Sequence, residues 1–504
     1  MAAIVLLLLS LLPVLFLFLF LKEKTKQKPR LNLPPGPKPI PIIGNLHQTS
    51  HDLPHKTAYE FSKTYGPIVH IRLGQIPSIV VSTPALAKEI LRNQDLVFCS
   101  RPPLTVLRKY SFNGCDVAAA PYGDHWRNLR KIFILELLSN RKLPFFRSSR
   151  QSEVDQMIDS IRTRPNRNSP VNISDLMVRL SSSIVCRVVF GYKSKGKYGE
   201  RSGFHDLLEE GNALFHTVFL ADFFPRFGWI IDWFTGARLR LERNARQLDK
   251  FYSQVIEEHK ISAAAAEKTG GGQDLHDEDF VDVMLRLGKE EGSTITKDHI
   301  KGAIMDVLVG GTDTSASTVI WGMAELARNP RVMKKAQEEL WSVVGDKGKV
   351  EESDLPQLEY LKLVVYETMR LHQQSPIPRE SMEQCKVDGY DIPKGTLVFV
   401  NAWALARDES SWENALEFRP ERFIGSPISH LGNDFQYIPF GAGRRICPAI
   451  NFGMATVHVA LANLLYAFRW KLPPSIKEDD IDLDEAPGSV TYKKNPLFLV
   501  PRNK

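Results

Sequence analysis

The sequence predicts a mainly α-helical protein with a minor β portion, preceded by one transmembrane helix. Three observations carry that prediction. Ala2–Leu21 is uncharged, with Ser10 its one polar side chain. Helical patterns dominate from about Pro84 onward. One short stretch, Gly66–Ser82, is rich in β-branched residues and punctuated by Gly and Pro, which reads as a hairpin.

The apolar run comes first. Twenty helical residues span about 30 Å, one hydrocarbon core. "KEKTKQKPR" (Lys22–Arg30) follows, with five basic residues and one acid. Basic flanks stay cytoplasmic, so the rest of the chain is expected in the cytosol. A cleaved secretory signal has its basic charge before the apolar run and a small-residue cleavage site after it. Here the charge follows the run and no such site ends it. Residues 1–21 are therefore expected to be an uncleaved, single-pass anchor, and the sequon Asn172-Ile173-Ser174 to be unused. The basic flank supplies most of the formal net charge of +7. The remainder does not argue for a nucleic-acid partner. Five cysteines, widely spaced and without a CxxC pair, fit a reducing compartment and argue against structural zinc.

Residues 22–44 form a basic and proline-rich linker. Leu33–Gly44 contains five prolines, too many for a helix interior, and reads as a stiff spacer. Residues 45–504 are expected to form the catalytic domain. Leu214–Phe234 carries many aromatics, either as core or as a rim dipping into the membrane near a lipophilic entrance. The anchor favours the rim. Ser262–Asp279 is low in complexity and reads as a surface loop.

A helix of about thirty residues is expected between Thr296, a cap, and Asn329-Pro330, a stop. Its middle reads Gly310-Gly311-Thr312-Asp313-Thr314-Ser315. Each glycine costs roughly 1 kcal/mol against alanine there. Close helix packing with hydroxyls bonded back to carbonyls explains the segment in one way. A local opening over a ligand, with Asp313 and Thr314 as proton-carrying groups, explains it in another. Further on, Glu367 and Arg370 share a helix face at i, i+3 among apolar flanks, and "FRPERF" (Phe418–Phe423) offers Arg422. These three are expected to form a structural knot. Finally, "PFGAGRRICPAI" (Pro439–Ile450) puts a lone thiol, Cys447, in a glycine-rich turn beside two arginines. Pro448 is suited to a first helical position and apolar residues follow at helical spacing, so the thiol is placed at a helix N-terminus.

In this order the anchor, the proline hinge, "WRNLRK", "GGTDTS", "ETMR", "FRPERF" and "PFGAGRRIC" resemble a plant A-type microsomal cytochrome P450 over the whole chain. The resemblance implies the P450 fold: a long central helix over a haem and a small β-rich N-terminal lobe. It implies haem b with Cys447 as axial thiolate, a ligand that favours O–O cleavage. Gly441 and Gly443 would let the backbone approach the iron, and Phe440 would pack by the sulfur. Trp126, Arg130, Arg379 and Arg445 would cradle the propionates. Thr314 and Asp313 match the distal proton-delivery pair.

The implied reaction inserts one atom of O2 into a C–H or C=C bond. Electrons come from NADPH through NADPH–cytochrome P450 reductase in the endoplasmic reticulum membrane. Arg127, Lys131, Lys142 and Arg444 are candidates for docking that partner. The substrate is expected to be a lipophilic small molecule, with terpenoids slightly ahead of phenylpropanoids and alkaloids. Its pocket is drawn from Ala303, Asp306, Val307, Gly310, Ser375, Ile377 and Val490. A carboxylate at Asp306 would pair with a basic nitrogen, bond a hydroxyl, or simply serve its helix face.

Two departures stand out. Ala449 replaces the family's usual glycine, and "RLHQQSPIPRE" (Arg370–Glu380) is two residues shorter than in relatives, with Gln373-Gln374 for two prolines. Other readings are a P450-fold dehydratase or isomerase that needs no external electrons, and a non-catalytic haem sensor. Thr314 and the intact cysteine loop argue against the first of these.

Overall fold

The computed structural model describes residues 31–49, 53–139, 141–166, 169–191, 204–215, 217–268, 278–373, 377–486 and 490–503. The anchor, the first part of the linker and Ser375 lie outside these residues. Helices dominate the described chain, and the strands form small sheets.

The hairpin is present as β1 (Ile68–Leu73) and β2 (Ile76–Val81), antiparallel, with Val69 opposite Val80. Two strands from far along the chain, β3 (Ile377–Glu380) and β4 (Leu397–Val400), complete a sheet of order β1-β2-β4-β3. β4 runs parallel to β2 and antiparallel to β3, which sets Arg379 opposite Val398. Ile68, Ile79, Val81, Val398 and Val400 form a small core on this sheet.

The helical body is built from α1 (Asp124–Ile132), α2 (Ile173–Phe190), α3 (Gly228–Phe234), α4 (Ala237–Lys268), α5 (Lys297–Arg328), α6 (Glu359–Leu371) and α7 (Ile450–Ala467). α5, at about 1.5 Å per residue, is about 48 Å long and crosses the whole body. His299 closes its first turn by accepting from Thr296 N at 2.8 Å. Asn329 and Pro330 end it. The helix runs unbroken through Gly310–Ser315, so there is no local opening. A Cβ on Gly311 would lie 2.7 Å from Val185 Cγ2 of α2, whereas one on Gly310 would meet nothing within 4 Å. Thr314 Oγ1 donates to Gly310 O at 2.7 Å and Thr318 Oγ1 to Thr314 O at 2.9 Å. Packing thus accounts for Gly311 and back-bonding for Thr314 and Thr318, Gly310 provides room, and Thr312 Oγ1 is buried without a partner among the described residues.

α4 takes in Ser262–Lys268, so the stretch expected as a loop begins as helix. α7 is apolar and long enough to cross a membrane, yet 72% of it is buried inside the body, as a central core helix must be. The aromatic stretch divides in two. Leu214, Phe219 and Phe224 are buried, while Trp229, Trp233 and Phe234 of α3 are 54%, 64% and 76% exposed.

Glu367 and Arg370 of α6 are fully buried. Arg370 Nε and Nη2 donate to the two Glu367 oxygens at 2.8 and 2.9 Å. Arg370 Nη1 donates to the carbonyls of Ala406 and Ala415, and Nη2 to that of Glu417. Arg422 Nε and the backbone N–H of Arg419 complete the shell of Glu367, both at 2.9 Å.

Candidate active site

Cys447 lies just ahead of α7. That helix begins at Ile450, not at Pro448: Pro448 and Ala449 form a turn. Ala449 has φ −105° and ψ 24°. Its φ is negative, so alanine in place of glycine carries no left-handed strain. Its N–H donates to Cys447 Sγ at 3.4 Å, and Cys447 N donates to Phe440 O at 3.0 Å, closing the turn. Burial pushes the thiol's pKa up, while the Ala449 N–H and the Arg130 guanidinium pull it down. Gly441 and Gly443 both have positive φ. At Gly443 a Cβ would also fall 2.0 Å from Leu91 O. This glycine is required by a neighbouring backbone, a reason different from an approach to iron.

A cavity of about 400 Å³ separates this turn from α5. Cys447, Phe440 and Gly441 bound one side and Gly310 and Thr314 the other, with Asp306, Val307 and Ile377 in the walls. Ala303 and Val490 are buried but do not line it. Asp313, one residue before Thr314, also lies off the cavity. It hydrogen-bonds Tyr492 and Asn212, and burial raises its pKa.

Guanidinium groups crowd one end. Arg379 Nη2 donates to Ala442 O at 3.0 Å, but its Nε and Nη1 are buried with no partner among the described residues. Arg445 lies over the Trp126 ring at 4.1 Å and donates to the carbonyls of Cys99, Val117 and Ala120. Trp126 Nε1 also donates to Val117 O, and Arg130 to Ile446 O. Arg101, which the sequence did not single out, lines the same cavity and donates to Ala118 O. Burial, then mutual repulsion, lowers these cations: Arg445 to about 9 and Arg379 well below the arginine range. Burial also brings Arg101 down to about 10. Buried cations without enough counter-charge form a site for an anion. The orphaned nitrogens of Arg379, the enclosed thiol and the cavity between them fit an iron porphyrin with two carboxylates.

On the Cys447 side, Arg444 pairs with Asp95 at 3.2 Å and Arg127 with Asp124. Lys131 and Lys142 make no ion pair among the described residues.

The profile of the family described as Cytochrome P450 matches residues 34–500. The chain belongs to the cytochrome P450 family. Similar proteins include Cytochrome P450 71A1 of Persea americana, 46% identical over 91% of each chain. Strychnine-11-hydroxylase of Strychnos nux-vomica is 44% identical over 92% of this chain and 89% of its own. A zebra fish cytochrome P450 solved with progesterone superposes with a TM-score of 0.73 at 24% identity, covering 89% of this chain and 99% of that one. This last likeness establishes the fold. As a plant-type P450 the protein is an oxidoreductase, a haem-dependent monooxygenase that acts on small molecules with O2 and a redox partner.

Proposed function

We propose that this P450 hydroxylates or epoxidises a lipophilic plant specialised metabolite, of terpenoid class ahead of phenylpropanoid or alkaloid. Its electrons come from NADPH through NADPH–cytochrome P450 reductase. The observation that carries the reading is the cavity between Cys447 and the Gly310–Thr314 face of α5, whose walls include Val117, Val307 and Ile377. Such walls favour an aliphatic guest with few polar groups.

Haem b, when bound, would supply the activation of O2, and Cys447 would hold its iron through Sγ. Arg379, Arg445 and Arg130 would hold its carboxylates, while Trp126, expected among them, spends its N–H on Val117 O and supports Arg445 with its ring. The half-buried Phe440 ring beside the cysteine turn limits water. Thr314 holds a proton at Oγ1, and Gly310 O fixes the direction of that hydroxyl. Asp313 relays protons from the Tyr492 side and reaches Thr314 only by turning its side chain. Thr314→Ala is therefore expected to keep haem and its ferrous–CO spectrum while diverting reducing equivalents to peroxide. NADPH consumed against product and peroxide formed measures this. Unchanged coupling removes Thr314 from the role. Glu367, Arg370 and Arg422 maintain the fold and take no part in the chemistry.

The body sits on the endoplasmic reticulum membrane, anchored by residues 1–21, with α3 turned to lipid. A chain lacking residues 1–21 is expected to float with phospholipid vesicles, and Trp233→Ala with Phe234→Ala to release it. Equal flotation of both forms would remove α3 from the membrane.

The function as a whole is tested by incubating the protein, plant reductase and NADPH with a metabolite panel. Product that requires NADPH, reductase and O2 is expected. Turnover of a hydroperoxide or an oxime without NADPH would overturn the reading.

A further inference from the structure

Four successive backbone N–H groups beside the cavity are held by two carboxylates. Asp306 Oδ2, on α5, accepts from Val117 N at 2.7 Å and Ala118 N at 3.3 Å. Asp116 accepts from Ala119 N at 3.0 Å and Ala120 N at 2.7 Å. The carbonyls of this segment are held from other elements: Val117 O by Trp126 and Arg445, Ala118 O by Arg101, Ala120 O by Arg445. At Gly302, one turn before Asp306, a Cβ would lie 2.5 Å from Cys115 O, so the segment rests backbone to backbone on α5. Val117, Ala118 and Asp306 are together part of the cavity wall.

The two carboxylates hold successive N–H groups of one turn, which sets them side by side. Ionised together they repel and offer no donor to each other, and a proton on one of them removes the repulsion and links the pair. The surroundings favour keeping one. Burial is the first cause raising both groups, Asp116 to about 6 and Asp306 well above the carboxylate range. The charge on Asp116 also repels that on Asp306. In the other direction, Arg445 lowers Asp116, and Asp116 in turn acts on Arg101. Arg130 of α1 faces both arginines. Cys115, itself raised by burial, faces Asp116 and Asp298. Haem carboxylates held by Arg445 would offset its positive charge and favour retention of the proton.

We propose that Asp116 and Asp306 share one proton and act as a positioning pair, latching residues 115–120 against α5 as a wall of the haem cavity. Loss of that proton loosens the wall. The inference rests on the P450 cavity and is independent of the substrate class. Its sign follows from linkage. The closed form binds a proton that the open form releases, so opening becomes easier as pH rises above the ordinary carboxylate range, by up to about tenfold per pH unit.

Asp306→Asn separates this from a plain structural role. Its amide oxygen still accepts from Val117 and Ala118, and its NH2 donates to an ionised Asp116, so the latch no longer needs a shared proton. Amide hydrogen exchange is measured on the full-length holoenzyme from about pH 6 to about pH 8.5 and corrected for intrinsic base catalysis. The amides of α7 serve as reference. Wild-type protection at 117–120 should fall with pH by up to about tenfold per unit more than α7. In Asp306→Asn it should stay level, and the rate at which phenylimidazole reaches the haem should lose its rise with pH. An intact ferrous–CO spectrum in the variant shows that the site has formed. Flat wild-type protection, or the same slope in Asp306→Asn, overturns the proposal. Asp306→Ala should lose protection at every pH; if it yields no holoenzyme, the comparison of wild type with Asp306→Asn decides alone.

Discussion

Cys447→Ser is expected to give a folded protein with no monooxygenase activity. Serine is smaller than cysteine, its oxygen can still accept from Ala449 N–H, and the backbone bond from Cys447 N to Phe440 O does not involve the side chain. Stability should stay within about 1 kcal/mol of wild type. The chemistry is a different matter. The thiol is held at the cavity by a turn that needs positive φ at Gly441 and Gly443, with Arg130 and one N–H favouring the thiolate. A serine hydroxyl stays protonated in that setting and donates far less electron density to a metal. The ferrous–CO complex of Cys447→Ser should lack the red-shifted Soret band of thiolate ligation, and product formation should fall to background. A retained band would show that Cys447 does not hold the iron.

The features legible in the sequence are those set by neighbours within a few residues. The ends of α5 depend on a threonine cap and on Asn-Pro, and both fall where expected. The β1–β2 hairpin depends on Gly74, whose φ is +60°, and on β-branched residues either side. The features that were not legible depend on distant chain. Neighbours on a helix point about 100° apart, so only one of Asp313 and Thr314 can face the cavity. Which one does is settled by the contact of Gly311 with Val185 on α2. The same holds for Gly443, whose glycine is dictated by Leu91 O, some 350 residues earlier. Arg101 and Asp116 are single charges in a loop without periodicity, and their roles appear only once α5 and Arg445 lie beside them. The aromatic stretch 214–234 has the same composition throughout. Burial of Phe219 against exposure of Phe234 is decided by packing alone.

Arg370→Ala should destabilise the body by about 3–5 kcal/mol, the cost of breaking a buried, hydrogen-bonded ion pair from one side. Urea unfolding followed by tryptophan fluorescence measures it, along with the yield of CO-binding protein. Neither Glu367 nor Arg370 lines the cavity, so turnover per bound haem should be nearly unchanged. Arg370→Lys isolates the origin of the loss. If charge alone mattered, lysine would restore most of the stability. The guanidinium, however, spans Glu367 with Nε and Nη2 while Nη1 reaches Ala406 O and Ala415 O at 2.6 and 2.7 Å. One ammonium cannot occupy those positions together. Lysine should therefore recover less than half of the loss. Removing both charges, as in Glu367→Gln with Arg370→Met, should not be neutral either. Glu417 O keeps Arg422 Nη2 at 3.1 Å, but the carbonyls of Ala406 and Ala415 lose the donor that holds them. A double variant as stable as wild type would show that the pair is dispensable, and that the turns at 406 and 415 are fixed by packing rather than by the guanidinium between them.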